Sequence, residues 1–301
     1  MRWPRSQGAS EHPLQLRSLL DKRAAGAGTL TLPRLRVFAV TVLLLAGSLI
    51  PTSAARTPVS PTSPTRSIRV MTYNIHVGVG MDKKLDLPRI AAVIAKQKPD
   101  LVGLQEVDRG VERTQRIDEI AELAKLTHMD YAFAFNLRYQ GGQYGVAILS
   151  RYRIKSFDHR LYQNTREAER RGFIRAEIDV DGRIVNFVTT HLDYQYDDGR
   201  LFEAQQLLAA LQDVKAPLIV VGDFNDVPTG GAYQLVRNRF DDAWVDGRVT
   251  DAGLSYPADK PTKRIDYIVF RRGDRIRTKK AWIVNTLASD HVPVVADLQI
   301  G

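Results

Sequence analysis

Residues 218–225, LIVVGDFN, join an apolar segment to two polar side chains of the kind that bind ions and phosphates. Residues 218–222 are apolar and largely β-branched, which is typical of a strand buried on both faces. Asp223 and Asn225 follow at the point where that strand is expected to end. Because functional groups gather in the loops at one edge of a sheet, this stretch predicts a sheet-based fold with a site at that edge.

Other segments alternate between strand-like and helix-like patterns along the chain. Strand patterns occur at residues 68–73, 100–105, 131–135, 145–149, 173–180, 184–190, 265–270 and 292–299. Helical spacing of apolar residues follows Asp86 and recurs at 114–126 and 201–211, and Asp181-Gly182 predicts a two-residue hairpin turn. This interleaving predicts one mixed α/β domain over residues 68–301, without an internal repeat.

Polar groups end or directly follow the predicted strands at several further places. The full set is Asn74, Glu106, His191, Asp223 with Asn225, Asp266, and Asp290 with His291. Each residue by itself has an ordinary explanation as a turn residue, a solvated acid, a core histidine or a helix cap. Their joint placement at strand ends is better explained by a functional site, because buried charges need partners or a metal.

The residue types in this set indicate a chemistry. Carboxylate and amide oxygens favour Mg²⁺ or Mn²⁺ over zinc as the bound cation. His191 and His291 can contact phosphate or transfer protons. Metal-assisted hydrolysis of a phosphoester requires a hard cation beside groups of this kind, and we predict this reaction for the site. Arg171 and Arg175, in RRGFIRAEI (170–178), can add a phosphate clamp, or can equally be surface or strand-edge arginines.

The composition excludes several other classes of protein. With 301 residues, 44% apolar and 26% charged, the chain is that of a folded globular protein and not of a collagen-like or disordered one. It contains no cysteine, which excludes a thiolate nucleophile, a cysteine-ligated zinc, an iron–sulfur cluster and a structural disulfide.

The net charge of +9 would by itself suggest a nucleic-acid partner. Residues 1–67 hold nine of the basic and two of the acidic side chains, a net charge of +7, so residues 68–301 carry only +2. Within the latter part, a basic cluster at residues 271–280 can be either a solvated hairpin or a local nucleic-acid patch. Most of the basic charge therefore lies in residues 1–67, which we call the leader.

The leader has the order of an export signal. Arg34 and Arg36 precede an apolar run at residues 37–50, and small residues follow up to Ala55. At ~1.5 Å per residue the run spans roughly 21 Å, less than a ~30 Å hydrocarbon core. We expect residues 1–55 to be a cleaved signal peptide or an uncleaved signal anchor, with a buried core helix as the remaining alternative. Residues 56–67, rich in Pro, Ser and Thr, are expected to be a linker.

Six motifs of the domain resemble, in order, those of the endonuclease/exonuclease/phosphatase superfamily. They are MTYNIH (71–76), LQEV (104–107), THL (190–192), GDFN (222–225), RIDY (264–267) and SDH (289–291). The resemblance spans residues 68–300, and the ordered set is more specific than any single motif. Members of the superfamily include pancreatic-type deoxyribonuclease, apurinic endonucleases, neutral sphingomyelinases and inositol polyphosphate phosphatases.

The resemblance implies a four-layer αββα sandwich, with two mixed β-sheets packed face to face and helices outside. It implies Mg²⁺ (or Mn²⁺) held chiefly by Glu106, with Asn74 and Asp290 nearby. It further implies that Asp223 and Asn225 orient the attacking water and the phosphate. It implies that His191, and His291 paired with Asp266, contact the phosphate and transfer protons. The chain looks most like compact bacterial hydrolases of this superfamily, similar to a catalytic region found in proteins of glycosylphosphatidylinositol-lipid remodelling.

Three functions compete at this point. The first is an exported metal-dependent phosphodiesterase that acts on a phospholipid headgroup or another small phosphodiester. We expect this enzyme to be a monomer that can associate with a membrane surface. The second is a secreted deoxyribonuclease-like endonuclease, which the domain charge of +2 disfavours because phosphate neutralisation supplies most non-specific affinity for nucleic acid. The third is a non-catalytic binding module, which is expected to lack at least one of Glu106, Asp223, Asp290 and His291, and all four are present.

Overall fold

Two mixed sheets of six strands each form the centre of the molecule in a computed structural model, which describes residues 65–215 and 217–301. The first sheet contains β1 (Arg66–Asn74), β2 (Leu101–Arg109), β3 (Asp130–Tyr139), β4 (Gly142–Ser150), β11 (Ile276–Ile283) and β12 (Val294–Ile300), in the order β11-β12-β1-β2-β4-β3. The second contains β5 (Ile154–Leu161), β6 (Gly172–Val180), β7 (Arg183–His191), β8 (Leu218–Asp223), β9 (Phe240–Asp242) and β10 (Asp266–Arg271), in the order β5-β6-β7-β8-β10-β9.

Helices cover the outer face of each sheet. They are α1 (Leu87–Gln97) and α2 (Glu119–Thr127) on one side, and α3 (Asp197–Leu211) and α4 (Gly231–Arg237) on the other. A fifth helix, α5 (Ala243–Asp246), instead contributes Ala243 and Trp244 to the apolar cluster between the sheets. Apolar side chains of α1 and α2 pack on the first sheet, and those of α3 and α4 pack on the second. A third apolar cluster, which includes Val70, Ile148, Phe187 and Val221, fills the space between the sheets. The predicted four-layer αββα sandwich is confirmed.

Several local predictions can be compared with the observed elements. Asp86 caps α1 by accepting a hydrogen bond from the Arg89 amide at 2.9 Å. The second helix begins at Glu119 and not at 114, because Asp118 caps it and a 3-10 turn occupies Glu112–Thr114. Asp181 and Gly182 form the expected turn between β6 and β7, both with positive φ. Strands β5, β9 and β11 and helices α4 and α5 were not among the predicted elements.

The basic cluster at residues 271–280 is not a hairpin, so that interpretation was wrong. Strand β10 ends at Arg271 in the second sheet, and β11 begins at Ile276 in the first. The intervening turn therefore crosses between sheets. Strand β11 is an edge strand that exposes Arg277, Lys279 and Lys280, and exposed charges of this kind commonly keep edge strands from pairing with other chains.

The strand directions bring the polar strand ends together. The parallel pairs β1–β2 and β7–β8 each end at the same edge of their sheet, and β10 begins there because it runs antiparallel to β8. Register places His191 beside Asp223, and Asp223 beside Asp266. Gly103 lets the sheets approach closely at this edge, since a Cβ there would lie 2.3 Å from Val221 Cγ2.

The predicted signal peptide or anchor and its apolar run, residues 37–50, lie outside the described residues, as does the predicted linker up to residue 64. Strand β1 begins at Arg66, two residues inside the expected linker. Within the part of the chain that the structure describes, no helix has both the length and the apolar character needed to cross a membrane.

Candidate active site

Glu106 lies at an irregular point in β2, where the pairing with β4 shifts register between Leu104 and Val107. Its backbone has a φ of 56°, a left-handed conformation that non-glycine residues seldom adopt. Such bulges re-aim side chains at strand ends. Here the carboxylate lies 3.0 Å from Asn74 Nδ2, at the site edge of the first sheet.

Asn74 links the two sheets. Its side chain is fully buried at the end of β1, and its Nδ2 donates to Glu106 Oε1 at 3.0 Å and to Asp223 Oδ2 at 3.1 Å. Its Oδ1 accepts a hydrogen bond from the His76 amide at 3.0 Å. The amide therefore joins a carboxylate of the first sheet to a carboxylate of the second, and thereby fixes their spacing.

Asp223 and Asp266 of the second sheet form a buried group with His291, which lies in the loop before β12 of the first sheet. His291 Nδ1 lies 2.8 Å from Asp266 Oδ2, and its Nε2 lies 3.6 Å from Asp223 Oδ2. Burial alone lowers the pKa of His291, but the carboxylates of Asp266 and Asp223 outweigh it and raise that pKa to about 10. Burial, reinforced by Asp266 and opposed by His291, raises the pKa of Asp223. At neutral pH the protonated form of His291, hydrogen-bonded to Asp266, is therefore favoured.

His191 approaches Asp223 from the other side. It ends β7, and its Nε2 lies 3.4 Å from Asp223 Oδ2 and 3.0 Å from the Asn225 side-chain nitrogen. Its Nδ1 contacts Arg171 Nη1. Burial, and then the charges of Arg171 and His291, lower the pKa of His191 well below its usual value. The two histidines thus face one carboxylate in different protonation states, His191 neutral and His291 charged.

The donor set fits a hard divalent cation. Asp223, Asp266 and His291 each offer an atom within 4.8 Å of the others, and Asp266 Oδ1 has no hydrogen-bond partner among the described residues. Glu106 and the partly exposed Asp290 add oxygen donors at the same edge, where Asp290 Oδ1 lies 3.9 Å from His76 Nδ1. Oxygen-rich sets of this kind suit Mg²⁺ or Mn²⁺. The predicted ligands Asn74, Glu106 and Asp290 therefore adjoin a second group of candidate ligands.

The two candidate phosphate-binding arginines are placed differently. Arg171 precedes β6 and is buried against His191 at the site. Arg175 lies further along β6, where its Nε donates to Asp158 Oδ1 at 2.7 Å. Since Asp158 belongs to the neighbouring strand β5, the structure does not bring the Arg175 guanidinium to the other site residues.

Tyr256 was missed by the sequence analysis. Its ring lies 4.7 Å from that of His291, between centroids. Burial raises the pKa of Tyr256, and the charges of Asp290, Asp223 and Glu106 raise it further. The residue occupies a loop between α5 and β10 and follows no strand, so the strand-end pattern could not have found it.

A second buried cluster of charged groups supports the loop that follows β7. Glu203 of α3 accepts a hydrogen bond from the Asp193 amide at 2.6 Å, and Arg200 donates to the Asp193 carbonyl at 2.8 Å. Burial raises the pKa of Glu203 to about 8. Since the fold favours protonated Glu203, the stability from this group is full below its ordinary pKa and is lost as the pH rises toward 8.

We therefore expect Glu203→Gln to stabilise the protein at pH 8.5 and to have little effect at pH 5. Glutamine keeps the acceptor oxygen for the Asp193 amide but carries no charge that burial disfavours. Thermal unfolding of both proteins across this range tests the expectation, with the exposed Glu112→Gln as control. A constant difference in melting temperature from pH 5 to 8.5 would contradict it.

With this geometry established, comparisons with known proteins identify the family. A model of the endonuclease/exonuclease/phosphatase family matches residues 71–291, most of the chain. The chain belongs to this family. Proteins of the endonuclease/exonuclease/phosphatase family are typically hydrolases of phosphoesters and generally depend on divalent metals. The buried acidic and histidine group described above is where this chain could hold such a metal.

Individual relatives are similar over most of their length. The uncharacterized protein YbhP of Escherichia coli strain K12 is 26% identical over 249 residues, which cover 78% of this chain and 97% of YbhP. An endonuclease/exonuclease/phosphatase family structure from Beutenbergia cavernae is 25% identical with a TM-score of 0.62, over 78% of this chain and 72% of that one. The mannosyl-6-phosphatase of Bacteroides thetaiotaomicron shares the fold, with a TM-score of 0.64 at 16% identity over 77% of this chain and 99% of that one.

Proposed function

We propose that the protein is an exported, metal-dependent phosphoesterase that hydrolyses a phosphodiester, either a phospholipid headgroup or another small phosphodiester. The observation that carries this proposal is the meeting of Glu106 and Asn74 from the first sheet with Asp223 and His191 from the second, and with His291 from the loop before β12. Hydrolysis by in-line attack of water needs carboxylates to hold a cation and orient water, and donors around the phosphate. This edge offers both.

The chain's own residues can be given roles in that reaction. Glu106, with Asn74 and Asp290, would hold Mg²⁺ or Mn²⁺. When bound, the cation supplies charge neutralisation at the phosphoryl oxygens. Asp223 and Asn225 orient the attacking water and the phosphate. The Asn225 backbone N–H donates to Asp223 Oδ1 at 2.8 Å and thereby holds the Asp223 carboxylate in place.

The two histidines have different roles at the phosphate. His291, held protonated by Asp266 at 2.8 Å, presents a charged donor to the developing negative charge. His191, neutral and on the opposite side of Asp223, presents a hydrogen-bond group to the phosphate without adding charge. Of the two histidines beside the Asp223 carboxylate, only His291 therefore presents a charged donor.

A small or lipid substrate is supported by the charges around the site. Arginines at the end of β2 and in the segments that follow β2, β5 and β7 already pair with carboxylates: Arg109 with Asp118, Arg113 with Asp108, Arg166 with Asp198, and Arg200 with Asp197. Guanidinium groups engaged in this way contribute less to tracking a nucleic-acid backbone.

Apolar side chains near the site favour a substrate with an apolar part. Tyr194 follows His191 by three residues and is 48% exposed, and Leu287 precedes Ser289 by two and is 55% exposed. Val227, two residues after Asn225, is also exposed. Such side chains can contact lipid near a headgroup, in keeping with export and with contact to a membrane surface.

The test is an activity panel with the purified full chain. We expect hydrolysis of bis-p-nitrophenyl phosphate with Mg²⁺ or Mn²⁺, loss of activity in EDTA, and recovery on adding metal back. p-Nitrophenyl phosphate separates monoesterase from diesterase activity. Sphingomyelin, phosphatidylinositol-type lipids, plasmid DNA and RNA then separate the substrate classes. Nicking of DNA at low salt without lipid turnover would favour the nuclease, and metal-independent activity would overturn the mechanism.

A further inference from the structure

The loop of residues 255–263, which directly precedes the RIDY motif, has a fixed base. Its two ends form an antiparallel bridge, in which the Tyr256 amide donates to the Lys263 carbonyl at 3.0 Å and the Lys263 amide donates to the Tyr256 carbonyl at 2.9 Å. Reciprocal bonds of this kind are those of a hydrogen-bonded antiparallel pair. Tyr256 therefore lies at the closed base of the loop and not at its tip.

Ser255 ties this base to the start of β10. The residue is fully buried, and its Oγ accepts hydrogen bonds from the backbone amides of Ile265 and Asp266, each at 3.3 Å. Asp266 is in turn the hydrogen-bond partner of His291. Tyr256, the next residue along the chain, therefore leaves the backbone at a point that is held beside the pair of Asp266 and His291.

Two further hydrogen bonds hold the loop on either side of His291. The Val292 amide donates to the Ser255 carbonyl at 2.9 Å, and the Ala258 amide donates to the Asp290 carbonyl at 2.8 Å. These bonds engage the residues directly before and after the histidine. The loop and the imidazole therefore keep a fixed spacing.

The Tyr256 ring lies against His291 but is not used up by that contact. The ring centroids are 4.7 Å apart, with 44° between the planes. The tyrosine side chain is only partly buried. Its hydroxyl has no hydrogen-bond partner among residues 65–215 and 217–301. Part of the ring and the whole hydroxyl are thus available to a ligand.

We propose that Tyr256 is a specificity-determining residue whose ring contacts the organic group esterified to the phosphate. This rests on the proposed function, in which His291 donates to that phosphate. A group attached through a bridging oxygen begins beside the donors that hold the phosphate, and the Tyr256 ring lies against one of them. Tyrosine offers a large, rigid apolar face with one polar end, which suits a partly apolar partner.

The class of substrate that this ring favours is a phosphoester whose organic group has a ring-sized apolar face. The gain from leaving water grows with the apolar area that is buried, and a methyl group buries little. Tyr256 should therefore strengthen the binding of a ring-bearing ester and contribute little to the binding of the phosphoryl group itself.

Nonhydrolysable phosphonates measure this contact. Calorimetry of the full chain with Mg²⁺ gives the Kd of phenylphosphonate and of methylphosphonate, which share the phosphoryl group and differ in the organic group. We expect phenylphosphonate to bind about tenfold more tightly, as burial of one ring against another allows. Tyr256→Ala should reduce that preference to about twofold and leave the Kd of methylphosphonate unchanged, since only the ring contact is lost. Tyr256→Phe should keep the preference.

The pattern of affinities separates this role from a structural one. Equal affinity of the wild-type protein for the two phosphonates overturns the proposal. An equal loss of both affinities in Tyr256→Ala also overturns it, because that is the result expected if the ring only supports His291. No binding of methylphosphonate to the wild-type protein means instead that the site does not hold a phosphoryl group, so that the proposed function fails and this inference fails with it.

Tyr131 provides the matched control. It is 40% exposed and pairs with Leu149, at the end of the first sheet where β2 begins, opposite the site. Tyr131→Ala should leave both affinities unchanged.

A second measurement decides the question if Tyr256→Ala does not fold. In a deuterated full chain with protonated tyrosine rings, bound phenylphosphonate should show a nuclear Overhauser effect to the Tyr256 ring. The signal is assigned by its loss in Tyr256→Phe, which removes only a hydroxyl without a partner among the described residues. Binding of phenylphosphonate without an effect to Tyr256 overturns the proposal.

Discussion

Replacing Asp223 by asparagine is expected to lower turnover about 10³- to 10⁴-fold while leaving the melting temperature unchanged or higher. The carboxylate lies 3.4 Å from His191 Nε2 and 3.6 Å from His291 Nε2, and it accepts hydrogen bonds from the Asn74 side chain and from the Asn225 backbone amide. Its charge is costly to bury, since burial and Asp266 raise the pKa of Asp223. Asparagine removes that cost together with the chemistry.

Asp242 provides the matched control for this substitution. It is equally buried, but its carboxylate pairs with Arg264, accepts from the Tyr233 hydroxyl at 2.6 Å and caps α5. Asp242→Asn should therefore lower the melting temperature, because it leaves a buried guanidinium underpaired, and should leave kcat near that of the wild type. Steady-state kinetics and thermal unfolding of both variants test the contrast. Near-normal turnover in Asp223→Asn would refute the proposed site.

The second large effect concerns metal binding at Glu106. In the wild-type protein, Mn²⁺ at about a hundredfold excess over its Kd should raise the melting temperature by about 5–10 °C, since a ligand that binds only the folded state stabilises it. Glu106→Gln should abolish most of that rise and lower kcat about 10²- to 10³-fold. The change removes one oxygen charge but keeps the side-chain length and the contact with Asn74.

Glu112→Gln serves as the control for metal binding, because Glu112 is exposed and pairs only with Arg116 at 3.8 Å. Thermal shift with Mn²⁺, Mg²⁺ and Ca²⁺ measures the effect and shows which cation the site prefers. A full Mn²⁺ shift in Glu106→Gln would place the cation elsewhere, with the group of Asp223, Asp266 and His291 as the next site to test.

The sequence was sufficient for the layered fold and for the polar set at the strand ends. Apolar runs such as 218–222 end abruptly at carboxylates, and parallel strands bring such ends to one edge. Strand β11 was not recognised because its edge position leaves charged side chains exposed and weakens the apolar alternation. The start of α2 was misplaced because two cap-like regions, at 112–114 and at Asp118, follow one another.

The finer geometry of the site depends on pairing that sequence patterns do not encode. The contact between Arg171 and His191 follows from the register of β6 against β7, which only the folded sheet fixes. The bulge at Glu106 depends on how β2 pairs with β4. Tyr256 reaches His291 from a loop, through contacts that no local spacing predicts.

The hydrogen bonds from Asn74 to both Glu106 and Asp223 mean that the proposed active site is shared between the two sheets. Neither half of the sandwich holds a working set of groups by itself. Turnover should therefore depend on how the two sheets pack against each other. Small changes in packing at Gly103, where the sheets approach closely, should alter turnover as changes to the site residues do.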